Sequence, residues 1–460
     1  MPSVHLRETT SRTGTPTVAD AASRSSAPRN LLRHIPTLIA VIMLFGSGSA
    51  QAVFGDKENQ DVDLPLREIV IEGNTRTDAN LILREMDLQI GQPFSFEDMD
   101  AIWDRLEDIG YFAFVDMEYD DSASDGVILR VTVEEDMTTS YGPLVRYDRR
   151  FKYKLGGWLE ESNLRGKGES LRIALSVYYI QQGSISWTRP WFLGQRGLEA
   201  KLAFDAKQAN FVFRPTKYRQ WDGDFTLRWD FWNDFFVEGG LNYGQDRYRD
   251  SYYWALPDRG PDSPTGSVLF EPTTDSRFAY SASIGFDSRP NPWYPSHGLL
   301  AQVTAKRWQS DDFASYTETS ADVRAFIPLP WDHILAARAW GRRTDGPTHL
   351  DNVLFFGGPQ TIRGYQFGGL EGEEGYLLTA EYRIPLFLMP ISPSGEMVGF
   401  GLHAFADAGD TWYYGADPGT ALQSWGAGLH INLDRQQFRF EGAQNLDGDW
   451  TFEFMDVMAF

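Results

Sequence analysis

From Tyr141 to Phe460, apolar and charged residues take turns along short segments set apart by Gly, Pro, Asn and Asp. That alternation limits the fold more than any other feature of the chain. In LEAKLAFDAK (198–207), Leu198, Ala200, Leu202 and Phe204 fall on one face, and Glu199, Lys201, Asp205 and Lys207 on the other. TETSADVRAFI (317–327) sets Ala321, Val323, Ala325 and Ile327 against Glu318, Asp322 and Arg324. HILAARAWGRR (333–343) sets Leu335, Ala337 and Ala339 against Arg338 and Arg342. A period of two is that of a β-strand, whose successive side chains point to opposite faces.

A large β-sandwich or propeller shows the same alternation, so the surroundings decide. Hydrophobic residues make up 42% of the chain and aromatics 14%, yet the mean hydropathy is negative. A bundle of membrane helices would need runs of about 20 apolar residues. One apolar run comes near, Ile35–Phe45 (IPTLIAVIMLF), behind Arg29 and Arg33 and ahead of GSGSAQA. Ala50 and Ala52 give the small-x-small pattern of a signal-peptidase site, so residues 1–52 read as a secretion signal, with 53–65 a linker. A start codon assigned too far upstream would explain the long first segment. Export, aromatic clusters near turns (YYWALP, WYP) and the closing strand WTFEFMDVMAF favour a membrane barrel. Its outside meets lipid and lipopolysaccharide and its inside meets water; closure removes the edge that hydrocarbon could not satisfy.

Sixteen strands are expected over 141–460, starting near Tyr141, Lys152, Leu171, Ser184, Leu198, Gln220, Phe235, Phe278, Leu299, Tyr316, His333, Tyr376, Val398, Gln423, Gln437 and Trp450. An even count leaves both ends on one side, the periplasm, and puts 250–272 and the glycine-rich 355–369 outside the cell. Asp456 interrupts the aromatic face of the last strand, through a position near the interface or through a bulge.

Residues 66–136 differ in kind. Between Asp61 and Asp136 there are 21 Asp and Glu against 5 Arg and no Lys. LREIVIEGN reads as a strand and TDANLILREMDL as a helix with Leu81, Ile82 and Met86 on one side. Ser95 stands as an N-cap before FEDMDAIWDRLEDIG, whose stripe is Phe96, Met99, Ile102, Trp103, Leu106 and Ile109. YFAFVDMEY and GVILRVTVEE complete a small α+β domain. The net charge of −22 argues against nucleic acid, and the absence of cysteine excludes disulfides and thiolate metal sites.

FFGGPQTIRGYQFGG (355–369) admits three readings: a phosphate cradle, a mobile tip, or a segment built to sit in one place. The first lacks a lysine-serine/threonine ending and a following helix. Arg363-Gly364-Tyr365 resembles the arginine-glycine-aromatic motif of the BamA/TamA superfamily of outer-membrane assembly barrels, with Ile362 where valine is frequent. The order of elements in 66–136 resembles that superfamily's periplasmic POTRA domain, though one such domain fits here where family members have several. ESNLRGKGESL (161–171), ISWTRPWFLGQRG (185–197) and DSRPNPWYPSHGLL (287–300) resemble its strand turns. The resemblance spans 66–460. It implies a loop folded back into the lumen, with Arg363 against Glu381 and the Phe405-x-Asp407-x-Gly409 strand, and an assembly signal in the terminal strand at Phe454 and Phe460. Gly357-Gly358 and Gly368-Gly369 are expected to supply turns with positive φ.

The fold expected is therefore mainly β: a 16-stranded transmembrane antiparallel β-barrel preceded by one POTRA-like periplasmic domain, in the outer membrane of a Gram-negative bacterium. The resemblance implies a factor that inserts or translocates unfolded outer-membrane or secreted client proteins by strand complementation, without nucleotide or other cofactor. Periplasmic or lipoprotein accessory partners fit the same picture. A passive pore, a surface antigen or a two-partner-secretion exporter would use the same scaffold. No GxSxG elbow occurs, and His297, His333, His349, His403 and His430 show no metal-ligand spacing, so neither catalysis nor a metal is expected. YGPLVRYDRR, with Gly142 and Pro143, is expected to pair poorly at its start, which suits a seam that opens.

Overall fold

The computed structural model describes residues 64–457 apart from 96, 121–125, 149–151, 179, 212–215, 233, 257–265, 271, 312–313, 350–351, 367, 391–396 and 435. The expected secretion signal (1–52), most of the linker, Phe96 and Phe460 lie outside the described residues.

The acidic segment folds as β1 (Leu64–Glu72), α1 (Ala79–Met86), β2 (Pro93–Phe94), α2 (Glu97–Asp108), β3 (Phe112–Asp120) and β4 (Val127–Glu135). Asp78 caps α1 by accepting from the Asn80 amide, and Asp87 closes it in the left-handed region at φ 56°. The four strands order as β2-β1-β4-β3, with β1 parallel to β4 because the helices carry the chain back across the sheet. Ile82, Met86, Ile102 and Leu106 bury against Leu66, Leu129 and Val131, as the helical and strand periods require. Trp103 departs from its expected place in the stripe: it is exposed along its ring while its indole N–H donates to Val115 O at 3.0 Å. A tryptophan half out of the core with its polar end satisfied is stable there.

The barrel follows as β5 (Thr139–Asp148), β6 (Lys152–Leu164), β7 (Glu169–Tyr178), β8 (Ile180–Arg189), β9 (Leu198–Phe211), β10 (Thr216–Phe231) and β11 (Phe235–Tyr248). A small ribbon, β12 (Tyr252–Leu256) with β13 (Gly266–Phe270), stands before β14 (Thr274–Asp287), β15 (Gly298–Ser310), β16 (Tyr316–Pro328) and β17 (Ile334–Thr344). A second ribbon, β18 (Leu354–Phe356) with β19 (Leu370–Gly372), leads to β20 (Glu374–Pro390), β21 (Met397–Trp412), β22 (Leu422–Asp434), β23 (Gln436–Asn445) and β24 (Trp450–Val457). Outside the two ribbons, sixteen antiparallel strands close into one barrel. Among the described residues no helix is long and apolar enough to cross a membrane.

Leu202, Phe204, Ile284, Val303, Phe400 and Leu402 point outward and are exposed, as lipid-facing residues must be. Charged residues line the interior, where Asp322 accepts from both Arg324 and Arg338 of the neighbouring strand. The largest departures from the expected strand starts are four residues, at β8, β10 and β14. All three starts lie at the end away from the first domain, in IQQG, TKYR and TDSR, where both faces are polar and alternation no longer marks the strand. The ladder of β24 runs unbroken past Asp456, opposite Phe438, so no bulge shifts its register.

Closure between the first and last strands is narrow. Among the described residues β24 meets β5 through Phe454↔Tyr147 and Met455↔Arg146 only. The next shortest ladder in the barrel, β7 with β8, has seven pairs. The start of β5 pairs without interruption to β6 from Thr139 onward, whereas among the described residues Thr139–Val145 have no registered partner on β24. The weak pairing is on the opposite side of β5. There Gln436 of β23 reaches past β24, and its Nε2 donates to Pro143 O at 3.1 Å.

The turn between β6 and β7 docks the first domain. Gly166 O accepts from the Asp78 amide at 2.9 Å, Asn163 Nδ2 donates to Thr77 Oγ1 at 2.9 Å, and Tyr111 OH donates to Ser162 O at 3.0 Å. Gly166 sits at φ +71°, and a Cβ there would lie 2.0 Å from Arg76 O. This is the physical reason for glycine in ESNLRGKGESL: backbone meets backbone with no room for a side chain.

Candidate functional site

The loop between β17 and β20 turns back along the inner wall. Gly357, Gly358 and Gly368 take positive φ, whereas Gly369 does not, so the exit needs one such residue rather than a pair. Between them each residue of Ile362-Arg363-Gly364-Tyr365 meets a different feature of the wall. Ile362 is fully buried with Phe356 and Leu377, and a Cβ on Gly409 would come within 3.1 Å of its Cδ1. Gly364, at φ +85°, lies so close to the backbone of Gln444 and Asn445 that a Cβ would sit 3.3 Å from each. Tyr365 OH donates to Gln423 O on β22 at 2.9 Å.

Arg363 lies between three carboxylates. Its Nε and Nη2 form a fork on Asp407, at 2.7 Å to Oδ2 and 2.8 Å to Oδ1, and its backbone N–H adds a third bond at 3.1 Å. Nη1 donates to Glu381 Oε2 at 3.2 Å and to Glu441 Oε1 at 3.0 Å. The guanidinium carbon stands 3.4 Å from the centre of the Phe405 ring. Alternation explains the Phe405-x-Asp407-x-Gly409 spacing. Every second residue of β21 faces inward, so one strand offers a stacking ring, a forked acceptor and a gap for Ile362.

Arg383 and Arg439, not singled out in the sequence, complete the arrangement. Arg383 Nε donates to Glu381 Oε1 at 2.7 Å, and Arg439 Nη2 pairs with Glu381 and with Glu441 at 2.8 Å. Three guanidiniums thus face three carboxylates, all within a few per cent of full burial. That equality is what lets so many charges leave water together. Glu441 was legible in part, since QQFRFEGAQN alternates Arg439 and Glu441 against Phe438 and Phe440. Its partner was not, because the offset between strands is set by tertiary register.

Donor atoms of Glu381, His403 and Glu441 lie within 4.8 Å of one another. Both carboxylates already accept from arginine, and a divalent cation would enter against three guanidiniums, so the donor set fits a metal poorly. Phe454 lies on β24 at the seam, its ring 4.6 Å from Phe440.

In the first domain, Glu135 gathers Thr75 Oγ1 and the backbone N–H groups of Arg76 and Thr77, the last at 2.6 Å. Burial alone would raise its carboxyl, but the hydrogen bonds from Thr75, Thr77 and Arg76 outweigh that and hold it at about 2. This carboxylate fixes the residues that touch Asn163 and Gly166.

Comparison with known proteins gives a consistent picture. A family model described as Omp85 superfamily domain matches residues 163–454, and one described as POTRA, surface antigen variable number repeat, matches residues 65–136. Over 389 residues the chain is 26% identical to the outer membrane protein assembly factor BamA of Nitratidesulfovibrio vulgaris, covering 78% of this chain and 42% of that protein. The chain therefore spans less than half the length of that relative. Among solved structures, BamA from Haemophilus ducreyi lacking POTRA domains 1–3 aligns with a TM-score of 0.63 at 18% identity, over 86% of this chain and 84% of the other. CdiB from Acinetobacter baumannii aligns at 0.58 and 14% identity, over 86% and 74%.

Proposed function

The chain belongs to the Omp85 superfamily of outer-membrane barrels, and on that premise we propose that it inserts β-barrel clients into the outer membrane by lending them strand edges. The observation that carries this reading is the seam. Among the described residues two registered pairs hold β5 to β24, with the Gln436–Pro143 bond tying β23 to β5, against seven pairs or more at every other junction. Parting such a seam exposes main-chain donors and acceptors inside a bilayer, where an incoming strand is the partner that satisfies them. The energy comes from the client's own folding, so neither nucleotide nor covalent chemistry is required.

The first domain suits delivery. Its sheet ends at β3, and β2 covers only Leu64 and Pro65 of β1, which leaves backbone edges for an extended chain to join. Arg363, Glu381, Phe405, Asp407 and Gly409 hold the loop to β20 and β21, and Glu441 and the backbone beside Gly364 bring it to β23, so the latch braces the wall on the β24 side of the seam. Phe454 lies on β24, the strand by which this barrel is itself recognised during assembly. The assembly role named for the BamA relative, and export of a secreted client, are variants of the same use of edges.

The test is reconstitution. Purified full-length protein in lipid vesicles should accelerate folding of a urea-denatured outer-membrane barrel, read as the appearance of the heat-modifiable folded band. A steady ionic conductance with no acceleration of any client would replace this reading with that of a pore.

A further inference from the structure

The turn DSRPNPWYPSHG (287–298) joins β14 to β15. It lies on the side of the first domain, yet Tyr294 is 3% exposed and packs among Phe326, Ile334 and Ala336 on the inner wall. Its hydroxyl is 3.1 Å from His430 Nε2, and His430 Nδ1 is 3.2 Å from His403 Nδ1. His403 Nε2 is 2.9 Å from Glu441 Oε1, the same oxygen that accepts from Arg363. Three contacts join a periplasmic turn to the carboxylate under the extracellular loop.

With neutral rings, these contacts admit one direction only. Glu441 is ionised between two arginines and can only accept, so His403 carries its hydrogen on Nε2 and is bare at Nδ1. His430 must then donate from Nδ1, which leaves its Nε2 to accept from the tyrosine hydroxyl. The rings have reserved space: a Cβ on Gly401 would come within 2.6 Å of His430 Nε2, and one on Gly428 within 2.9 Å of His403 Nε2. Two inward glycines face two inward imidazoles, so the chain is built into β21 and β22 rather than fortuitous.

We propose that Tyr294 is a positioning residue for the Arg363 loop, acting through His430 and His403 to fix the Glu441 carboxylate. Displacing the turn withdraws the hydroxyl, frees the imidazoles to turn, and loosens one of the three acceptors that hold Arg363. The two ends of the lumen are thereby coupled, whether the barrel assembles clients or exports them.

The experiment uses the full chain folded in detergent micelles, with histidine labelled in nitrogen-15. The wild type should show hydrogen on Nε2 of His403 and on Nδ1 of His430. Tyr294→Phe keeps the ring and removes the hydroxyl. It should speed amide exchange across 358–366 about tenfold, the effect of one buried hydrogen bond, and disturb the His430 signal. In a Glu441→Gln background the same change should have less than about a twofold effect, because the chain is already cut at its far end. If Glu441→Gln fails to fold, His403→Asn serves as the background with the same expectation. Unchanged exchange in Tyr294→Phe, equal acceleration in both backgrounds, or a wild-type His430 with its hydrogen on Nε2 would each overturn the proposal.

Discussion

Asp407→Asn preserves shape and removes one charge from the most buried acceptor of the site. Asp407 takes Nε, Nη2 and the backbone N–H of Arg363, at 2.7, 2.8 and 3.1 Å, with none of its side chain exposed. The amide can offer one oxygen to this fork, and its NH2 meets the other guanidinium N–H. One charge-assisted bond, worth about 1.5–3 kcal/mol, is lost. Three arginines then face two carboxylates in a site closed to water, which brings the expected cost to about 3–5 kcal/mol. At 1.4 kcal/mol per decade, the folding equilibrium falls by roughly two to three and a half orders of magnitude. Equilibrium urea unfolding in lipid vesicles, followed by the fluorescence of the 15 tryptophans, measures it. The midpoint should drop with the slope unchanged, since the surface exposed on unfolding is the same. Adding Arg363→Met restores two arginines against two carboxylates, so the double variant should cost less than the sum of the singles. A loss under about 0.5 kcal/mol for Asp407→Asn, or simple additivity, would refute the charge-balance argument.

Three further outcomes follow from the same structure. Arg363→Lys keeps the charge but not the fork or the stacking on Phe405, so about 2 kcal/mol should be lost in the same unfolding assay. Gly166→Ala places a Cβ against Arg76 O and should free the first domain. Proteolysis between Asp136 and Thr139 should then quicken while barrel unfolding stays as in the wild type. Glu135, held at about 2 against an ordinary 4.5, stabilises the first domain fully above pH 4.5 and loses that contribution as pH falls through about 2. Glu135→Gln should therefore cost on the order of 2–3 kcal/mol at pH 7, read from urea sensitivity of the first domain, and converge with the wild type near pH 2.

Much of the barrel was legible because lipid on one side and water on the other force every strand to declare its two faces. The strand starts that came late, at β8, β10 and β14, lie where polar segments continue the ladder and that contrast ends. Arg363, Glu381 and Asp407 could be placed together from a family motif and from parity along β20 and β21. Arg383, Arg439, His430 and Tyr294 could not be matched to partners, because each contact depends on the stagger between strands. Gly401 and Gly428 show the cost of reading one strand at a time. As isolated glycines they mark nothing, and only against His430 and His403 do they become spaces kept for rings. For β5, the poor pairing expected at its start falls on the β24 side alone, because the strand keeps its full ladder to β6.

Client assembly at this barrel requires that the β5–β24 seam part. The chain has no cysteine, so Tyr147→Cys with Phe454→Cys gives one clean pair at registered positions. Oxidised to a disulfide in lipid vesicles, the variant should lose its acceleration of client barrel folding and regain it on reduction. Acceleration unchanged with the disulfide closed would contradict the seam as the place where clients are assembled.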